Sequence, residues 1–251
     1  MSQEASYSTI GDKNLMTLNS AANFTNWMYE EIRPYLSGNI MELGSGIGTY
    51  SEKVIRDFKE SMVVLSDIDE IYIRHLEHRF DSNKKVVVKK IDITRQADFE
   101  DIDVSIDSVF ALNVLEHIED DLVAFNNIYN VLAPGGKLII LVPAYKFLFN
   151  CIDKVIGHYR RYTKKEIIAK VKQTEFSIVK LFYFNFAAIP GWYVNGNIFK
   201  QSKVNEGAVG IFDKIVLILK FIERHILLRK LGISLIVILS KPELVAESRI
   251  N

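Results

Sequence analysis

The 251-residue chain has little of several features that define particular protein classes. It contains one cysteine, Cys151, which excludes an internal disulfide, and no Cys/His cluster has the spacing of a zinc site, so we predict no metal. Thirteen Gly and five Pro are too few for a collagen, and 49% apolar residues are too many for a fully disordered chain. The 31 basic residues balance 31 acidic ones, so the formal net charge is zero and we expect no nucleic-acid partner.

Long apolar runs are scarce as well. The longest charge-free stretch, residues 181–199, contains Asn, Pro and Gly, and the apolar run at 231–239 is too short to span a bilayer. The residues before position 9 are polar and lack the basic-then-apolar pattern of a signal peptide. We therefore expect a cytoplasmic protein without membrane spans, whose C-terminal quarter offers a surface for peripheral membrane contact.

Short and almost entirely apolar runs alternate with segments of helical pattern. Such runs are typical of strands that are buried on both faces, and the spacers between them have the length of right-handed crossover helices. The sequence therefore predicts an α/β fold with a doubly wound, Rossmann-like, mostly parallel sheet. The five runs cover residues 40–43, 62–65, 86–88, 108–111 and 137–142.

Helix signals and a change of pattern after residue 175 complete the predicted layout. Thr163 and Glu166 form a capping box for a helix at 164–173, and acidic residues precede a second helical segment that ends before a Pro-Gly-Gly turn. Two further strands are predicted at 177–186 and 234–239, and the segment between them has helical spacing at 211–231.

One domain is the simplest interpretation. It comprises an N-terminal helical lid, a cofactor-binding core, an insertion that caps the acceptor site, and a final strand with a tail. An N-terminal helix that only covers the sheet is the alternative to a lid. The four parts are assigned to residues 1–36, 37–184, 185–232 and 233–251.

Three glycines follow the first apolar run on alternate positions, at 44, 46 and 48. Glycines allow a tight turn and leave no Cβ in the way of a ligand, and the start of the next helix favours negatively charged groups. A P-loop is excluded because no Gly-Lys-Ser/Thr follows, and a dinucleotide turn fits poorly because Thr49 occupies the third glycine position. The turn of S-adenosylmethionine enzymes remains, supported by Glu42, beside the alternative that the glycines serve packing only.

Two carboxylates close the next two predicted strands. Asp67 is placed where a carboxylate can accept both hydroxyl protons of a ribose, unless it caps the following helix. Ile68 beside it offers an apolar face to an adenine. Asp92 closes the third strand, where it either accepts from an adenine amino group or serves as a turn residue.

With these residues in order, the chain resembles the class I S-adenosylmethionine-dependent methyltransferases. The resemblance rests on residues 42–48, 111–118 and 132–138, together with Asp67 and Asp92. It implies a seven-stranded sheet with an antiparallel last strand, with S-adenosyl-L-methionine as cofactor and S-adenosyl-L-homocysteine as product. Residues further on, at 157–163, 184–185 and 190–192, are similar to a subgroup often encoded beside glycosyltransferases of lipid-linked sugars.

The resemblance also assigns cofactor contacts to individual residues. The glycine turn would hold the amino-acid end of the cofactor, Asp67 the ribose, and Asp92 with Ile93 the adenine. The residues after the fourth strand would lie beside the methyl group. The full set of expected cofactor contacts is Glu42, Gly44, Ser45, Gly46, Gly48, Tyr50, Asp67, Ile68, Asp92, Ile93, Asn113, Val114 and Leu115.

Methyl transfer from a sulfonium is an in-line displacement, for which a protein supplies alignment and a dry site. A base is needed only where the acceptor must lose a proton. His117 and His158, with Tyr159, are the candidate catalytic residues, because they follow the fourth and fifth strands at the edge where such sheets bind ligands. A packing histidine and a solvent-exposed one are the alternatives.

Acceptor contacts are predicted in the second half of the chain. Arg160 and Arg161 can clamp a phosphate or carboxylate through forked hydrogen bonds, or simply form a charged start to the next helix. Tyr162, Asn185 and Trp192 complete the predicted acceptor contacts.

The sequence as a whole predicts an S-adenosylmethionine-dependent methyltransferase that acts on an O, N or C atom of a small-molecule or lipid-linked acceptor. The insertion at 185–232 interleaves aromatic residues with lysines, which suits a lipid surface, a dimer face or ordinary core. One rival is a non-catalytic protein that keeps the fold for binding or regulation. A nicotinamide-dependent oxidoreductase is the other, and Thr49 disfavours it.

Overall fold

The computed structural model describes residues 16–17, 19–201 and 206–243. The beginning of the predicted lid and most of the predicted tail lie outside these residues. Within them a seven-stranded sheet has the order β3-β2-β1-β4-β5-β7-β6. This order, with an antiparallel β7 inserted between β5 and β6, confirms the predicted Rossmann-like fold with an antiparallel last strand. The strands are β1 (Ile40–Leu43), β2 (Val63–Asp67), β3 (Val86–Lys90), β4 (Ile106–Leu112), β5 (Leu132–Pro143), β6 (Ser177–Phe184) and β7 (Ser234–Ser240).

Helices cover both faces of the sheet. The capping box predicted for the helix after Thr163 is present, since the Thr163 side chain accepts from the Glu166 backbone and Glu166 bonds back to Thr163. The helices are α1 (Ala22–Ile32), α2 (Thr49–Asp57), α3 (Glu70–Phe80), α4 (Asp121–Val131), α5 (Cys151–Val155), α6 (Lys164–Val171), α7 (Ala188–Tyr193) and α8 (Glu206–His225).

Two apolar layers result, one on each face of the sheet. One layer packs Trp27 of α1 and Val216 of α8 against Phe184 at the end of β6. The other packs Phe125 of α4 and Ile167 of α6 against the opposite face. Strands with apolar side chains on both faces, as the continuous runs predicted, are therefore enclosed from both sides.

The first strand is the switch point of the sheet. It pairs in parallel with β2 on one side and with β4 on the other, so the crossover connections leave it in opposite directions. Ligands of open α/β sheets bind outside the carboxyl ends of the strands at such a point. The glycine turn directly follows β1 and lies at this crevice.

Helix α1 and helix α8 hold each other over one face of the sheet. The Asp213 carboxylate accepts hydrogen bonds from the backbone N–H groups of Asn23 and Phe24, at 3.3 and 2.8 Å. The buried Glu31 accepts from the guanidinium group of Arg224, which lies near the last turn of α8. The predicted insertion is thus joined to the N-terminal helix, and a lid role for that helix stays a prediction.

Two elements end earlier than the sequence predicts. Strand β6 ends at Phe184 because Asn185 has φ +63°, which leaves the extended conformation. Helix α8 ends at His225, well before residue 231, and Leu228 and Arg229 then take φ values of +49° and +57°. None of these three positions holds the glycine that usually signals such a turn. None of the helices in the described part of the chain combines the length and apolarity needed to cross a bilayer.

Candidate functional site

The glycine turn passes directly against the end of β4. Gly44 has φ +71°, and a Cβ at this position would lie 2.6 Å from Cγ2 of Val114. Gly46 and Gly48 also have positive φ, and Gly48 begins α2 without any side-chain cap. A backbone that close to its neighbour needs glycine, and the uncapped start of α2 leaves N–H donors facing the crevice.

Hydrogen bonds join the turn to β2. The Ser45 N–H donates to the Ser66 carbonyl at 2.8 Å, and the Ser66 N–H donates to Ser45 Oγ at 3.1 Å. The Gly46 N–H donates to Oδ2 of Asp67 at 2.9 Å. Burial raises the pKa of Asp67, against the hydrogen bonds from Asp69 and Gly46, which lower it. Asp67 therefore positions the turn, and Asp69 rather than Asp67 caps α3 by accepting from Ile71.

Glu42 lies beneath the turn instead of beside the crevice. Its carboxylate is buried and accepts a hydrogen bond from the Ser51 hydroxyl of α2. Burial raises the pKa of Glu42 to about 8. The Tyr50 hydroxyl lies 3.0 Å from the sulfur of Met28, so α1 reaches the same corner of the sheet.

An open groove of about 400 Å³ lies beside the ends of β2 and β3. Ile68, which is 59% exposed, and Asp92 both line it, so two of the three residues predicted to contact an adenine share one cavity. Oδ1 of Asp92 also accepts from the backbone and hydroxyl of Thr94, as the alternative turn role predicts. Ile93, by contrast, has its side chain in the core.

The end of β4 completes this side of the site. Asn113 has φ +56° and an exposed side chain, and its N–H donates to the Leu141 carbonyl at 2.9 Å. Val114 faces Gly44, whereas Leu115 is buried in the core. The residues predicted to meet a nucleoside therefore lie along one edge of the sheet, with Glu42, Ile93 and Leu115 supporting them from beneath. Their roles toward a ligand stay predictions.

The residues present fit S-adenosylmethionine, which the resemblance implies. Gly44 has no Cβ where the turn comes closest to Val114, which leaves room for an amino-acid tail. The backbone N–H groups at the start of α2 have no side-chain cap and suit a carboxylate. The Asp67 carboxylate keeps unused lone pairs for ribose hydroxyls, because each of its oxygens accepts one backbone N–H. The exposed Ile68 in the adjacent groove suits an adenine.

A second cluster lies beyond the ends of β4 and β5. Nδ1 of His158 lies 2.8 Å from Oδ1 of the buried Asp153, and Arg161 donates from Nε to both oxygens of that carboxylate. Burial raises the pKa of Asp153, but the His158 and Arg161 contacts outweigh it and hold that pKa below its ordinary value. An ionised Asp153 thus orients the His158 ring.

Glu116 and His117 stand on the other side of His158. The His117 and His158 rings meet edge to face with centroids 4.7 Å apart, and Nε2 of His158 lies 3.7 Å from Oε1 of Glu116. Glu116 is fully buried, and burial raises its pKa to about 8. Desolvation by surrounding protein lowers the pKa of His117 to about 4, although one edge of the residue is exposed to solvent.

The sequence grouped no metal ligands, yet three residues that could hold a metal ion lie together, and the absence of a bound metal stays a prediction. One ligand atom from each of Glu116, His117 and His158 lies within 4.8 Å of the others. Sequence spacing hid this arrangement, because the first two residues follow β4 while the third follows α5. Only the fold brings these two loops together.

The predicted acceptor contacts divide into accessible and buried residues. Tyr159 is 55% exposed, and Arg160 donates to the Glu119 carbonyl at 2.6 Å from a partly exposed position. Arg161 and Tyr162 are buried, and this corrects their predicted direct contact with an acceptor. Arg161 is committed to Asp153, and the Tyr162 hydroxyl donates to Asp121 at 2.8 Å.

Asn185 and Trp192 lie where the insertion begins. Oδ1 of Asn185 is buried without a hydrogen-bond partner among the described residues. The Trp192 ring lies under the Arg161 guanidinium at 4.7 Å, and its Nε1 donates to the Leu148 carbonyl at 3.2 Å. Trp192 therefore contacts the cluster through Arg161, and its contact with an acceptor stays a prediction.

Sequence reasoning missed Asp153 and gave Glu116 no role of its own. Asp153 had a local signal, since Asn150 and Asp153 form a capping box at the start of α5. That signal indicates only helix capping. Nothing in the local sequence shows that the Asp153 carboxylate also accepts hydrogen bonds from His158 and Arg161. Glu116 had no local signal, because its burial depends on the packing of the whole loop.

The chain is similar to known methyltransferases in part of its sequence and in its fold. Residues 41–138 match the family model described as a methyltransferase domain. Over 149 residues the chain is 23% identical to malonyl-[acyl-carrier protein] O-methyltransferase 1 of Ilyobacter polytropus, a match that covers 56% of this chain and 53% of that protein. The chain therefore spans about half the length of the curated relative it matches.

Solved structures share the fold across most of the chain. An S-adenosylmethionine-dependent methyltransferase of Mesorhizobium loti superposes with a TM-score of 0.58 at 13% identity, covering 85% of this chain and 97% of that one. A phosphoethanolamine N-methyltransferase 2 of Haemonchus contortus, solved in complex with S-adenosyl-L-methionine, gives 0.59 at 19% identity, covering 88% and 53%. At these identities the likeness concerns the fold alone.

Proposed function

We propose that the chain is a class I S-adenosylmethionine-dependent methyltransferase, and that it moves a methyl group to an oxygen, nitrogen or carbon of a small-molecule or lipid-linked acceptor. The observation that carries the proposal is the hydrogen bond from the Gly46 N–H to Oδ2 of Asp67, which is 2.9 Å long. It joins a glycine turn that leaves room for an amino-acid tail to a carboxylate that can accept from ribose hydroxyls. Both lie at the switch point of the sheet, where such folds bind ligands.

The chain's own residues bind and align at the cofactor side. The N–H groups at the start of α2 receive the carboxylate of the amino-acid tail, and Asp67 accepts from the ribose hydroxyls while it holds Gly46. Ile68 packs against the adenine in the groove beside β3. When bound, S-adenosylmethionine supplies a methyl group on a sulfonium, which needs no activation by the protein beyond alignment and exclusion of water.

The loops after β4 and α5 form the acceptor side. The His117 N–H donates to the Val114 carbonyl, the His158 ring contacts the His117 ring, and the Tyr159 N–H donates to the Glu116 carbonyl, so the three follow the segment 113–115, which we expect beside the methyl group. Where the acceptor atom carries a proton, the imidazoles are the groups within this cluster that can receive it. Arg160, which is partly exposed, supplies a cation for an anionic acceptor.

The lipid-linked character of the acceptor is supported by one face of α8. Ile211, Ile215, Ile218 and Phe221 recur at helical spacing on that helix and are all exposed, and Lys214 is exposed among them. An apolar stripe with a cation beside it suits the interface of an anionic membrane. The opposite side of α8 packs on α1 through Val216 and Asp213, which fixes the direction of the exposed stripe.

Calorimetry and thermal unfolding test the cofactor half of the proposal. At one hundred times its Kd, S-adenosylhomocysteine should stabilise the protein by about 2.7 kcal/mol. For a chain of this length that corresponds to a rise in Tm of roughly 5–10 °C. A folded protein that binds neither S-adenosylmethionine nor S-adenosylhomocysteine would overturn the proposal.

Turnover separates the enzyme from a binding protein of the same fold. The expected result is conversion of S-adenosylmethionine to S-adenosylhomocysteine with a lipid extract, together with a mass gain of one CH₂ in a lipid-linked product. Tight cofactor binding without turnover in lipid and water-soluble extracts would favour the non-catalytic alternative. Turnover in the water-soluble fraction alone would keep the methyltransferase and remove the lipid.

A further inference from the structure

Glu116 is a buried acid that lies beside two histidines. Its side chain has no exposed surface, and neither Oε1 nor Oε2 has a hydrogen-bond partner among the described residues. A buried carboxylate left in that state is costly, so it calls for a proton or for a cation beside it. A ring nitrogen of His117 and one of His158 lie within 4.8 Å of it, and the Arg161 guanidinium also interacts electrostatically with this carboxyl group.

The tautomer of His158 follows from its neighbours. Nδ1 lies 2.8 Å from Oδ1 of Asp153, and Arg161 donates to the same carboxylate, so Nδ1 carries the hydrogen and donates it. Nε2 is then left with a lone pair, and it is Nε2 that lies 3.7 Å from Oε1 of Glu116. Histidines that bind a metal through one ring nitrogen usually donate a hydrogen bond from the other to a carboxylate. His158 and Asp153 have this arrangement.

His117 brings the third ligand atom to the same point. Its ring meets the His158 ring edge to face, and a ligand atom of each residue lies within 4.8 Å of the others. In a tetrahedral zinc site with bonds near 2.0–2.1 Å the ligand atoms lie about 3.4 Å apart. Small side-chain rotations close that difference. The exposed edge of His117 gives a metal a path from solvent.

We propose that Glu116, His117 and His158 form a site for a divalent transition metal of the Zn²⁺ type, with its remaining position facing the acceptor. Two imidazoles and one carboxylate suit Zn²⁺, whereas Mg²⁺ and Ca²⁺ prefer oxygen ligands alone. The site itself is argued from this chain's geometry, and only its use rests on the proposed function. In the proposed function the metal would bind an oxygen of the acceptor, and an imidazole would no longer be needed to receive the acceptor's proton.

Metal binding is measured on the full chain after removal of metals with EDTA and dialysis. Titration with Zn²⁺ should show one equivalent per chain, and Co²⁺ should give visible absorption bands of a four-coordinate nitrogen and oxygen site. The variants Glu116→Gln and His117→Gln should each weaken Zn²⁺ binding at least tenfold and remove the Co²⁺ bands. The control is His78→Gln, an exposed histidine on α3 outside the cluster, which should bind as the parent does.

The outcomes are distinguishable. His117 is exposed at one edge, so His117→Gln is expected to stay folded even if the buried Glu116→Gln does not. A chain that binds no Zn²⁺, or whose Zn²⁺ affinity is unchanged in folded His117→Gln, overturns the metal site. S-adenosylhomocysteine binding is measured on the same samples. If the protein binds S-adenosylhomocysteine but no Zn²⁺, only the metal site is refuted. If it binds Zn²⁺ but no S-adenosylhomocysteine, the proposed function is refuted and the metal site is supported.

Discussion

Oδ2 of Asp67 accepts a hydrogen bond from the backbone N–H of Gly46 at 2.9 Å, and this bond joins the end of β2 to the turn that follows β1. The other oxygen, Oδ1, accepts from the Asp69 N–H at 3.0 Å. One side chain therefore fixes the position of the turn and the direction of the next loop. Under the proposed function, a substitution at Asp67 would weaken cofactor binding in two ways, by removing its contacts to the ribose and by loosening the turn.

Asp67→Ala should weaken S-adenosylhomocysteine binding at least tenfold, because a hydrogen bond to a charged group contributes about 1.5–3 kcal/mol. Titration calorimetry measures this. The matched control is Asp69→Ala, which removes the cap that Ile71 uses and should cost about 1 kcal/mol of stability with little change in affinity. Equal affinities in the parent and Asp67→Ala would remove Asp67 from the ribose role.

Gly44→Ala should impair both folding and ligand binding. An added Cβ would meet Cγ2 of Val114 at 2.6 Å, and φ +71° costs a residue with a Cβ about 1–2 kcal/mol. Combining it with Val114→Ala should restore part of the stability, because the overlap is removed while the backbone strain remains. Urea denaturation of the double-mutant cycle measures that coupling.

Gly210→Ala is the control for this cycle. No atom of the described residues lies within 4 Å of a Cβ at that exposed helical position, so the change should stabilise the protein by about 0.5–1 kcal/mol. If Gly44→Ala behaved like Gly210→Ala, the close approach of the turn to β4 would be refuted.

Glu42→Gln should change how stability depends on pH. The pKa of Glu42 is raised by burial to about 8 in the folded protein, so between pH 4.5 and 8 the folded state keeps a proton that the unfolded state has released. The free energy of unfolding therefore falls as pH rises through that range, by up to about 1.4 kcal/mol for each pH unit. The glutamine variant lacks this loss, so its advantage over the parent should grow from pH 5 to pH 8.

Urea denaturation at several pH values, without cofactor, measures the Glu42 effect. The exposed Glu77→Gln variant on α3 controls for the removal of one negative charge. Stability curves for the parent and Glu42→Gln that run parallel with pH would show that the Glu42 carboxyl titrates normally.

Arg161→Met should destabilise the protein strongly. Its side chain is 2% exposed and it donates to both oxygens of the fully buried Asp153, so the variant leaves a buried carboxylate with one cation fewer. Breaking a buried pair of this kind costs about 3–5 kcal/mol. Arg160→Met, at a partly exposed position nearby, should cost less than about 1 kcal/mol. Urea denaturation in EDTA measures both, and equal losses would contradict the structural role of Arg161.

The combined variant Ile218→Ser and Phe221→Ser should reduce binding to anionic vesicles without loss of stability, because both side chains are exposed on α8. Flotation with phosphatidylglycerol vesicles and with neutral ones measures this. Val123→Ser, an exposed apolar position on α4, is the control and should float as the parent does. Recovery of the parent in the soluble fraction with both kinds of vesicle would remove the membrane surface from the proposal.

The sheet was predictable because its signals are local. Runs such as 62–65 are apolar at every position, and a strand with that pattern is expected wherever both faces of the sheet are covered. The glycine turn and Asp67 were predictable for the same reason, since a strand, a turn and a helix follow one another directly. The ends of the helices and strands were less predictable, because Asn185 and Leu228 adopt positive φ values although neither is a glycine.

The acceptor side could be predicted only in part. His117 and His158 were identified as candidates from their places after strands, but the contact between their rings depends on how two separate loops pack. The burial of Arg161 was not predictable either, because the sequence around it is as polar as that of an exposed helix start. Partners that come from different loops leave no periodicity in the sequence.

The segment between β6 and β7 leaves and re-enters the sheet at one point, since Phe184 at the end of β6 pairs with Ser234 at the start of β7. The two ends of the segment therefore lie side by side in the sheet. Helix α8 within it packs on α1, and α1 in turn reaches the corner of the glycine turn through Met28. Replacing the segment by that of another protein is therefore expected to require matching changes in the N-terminal helix.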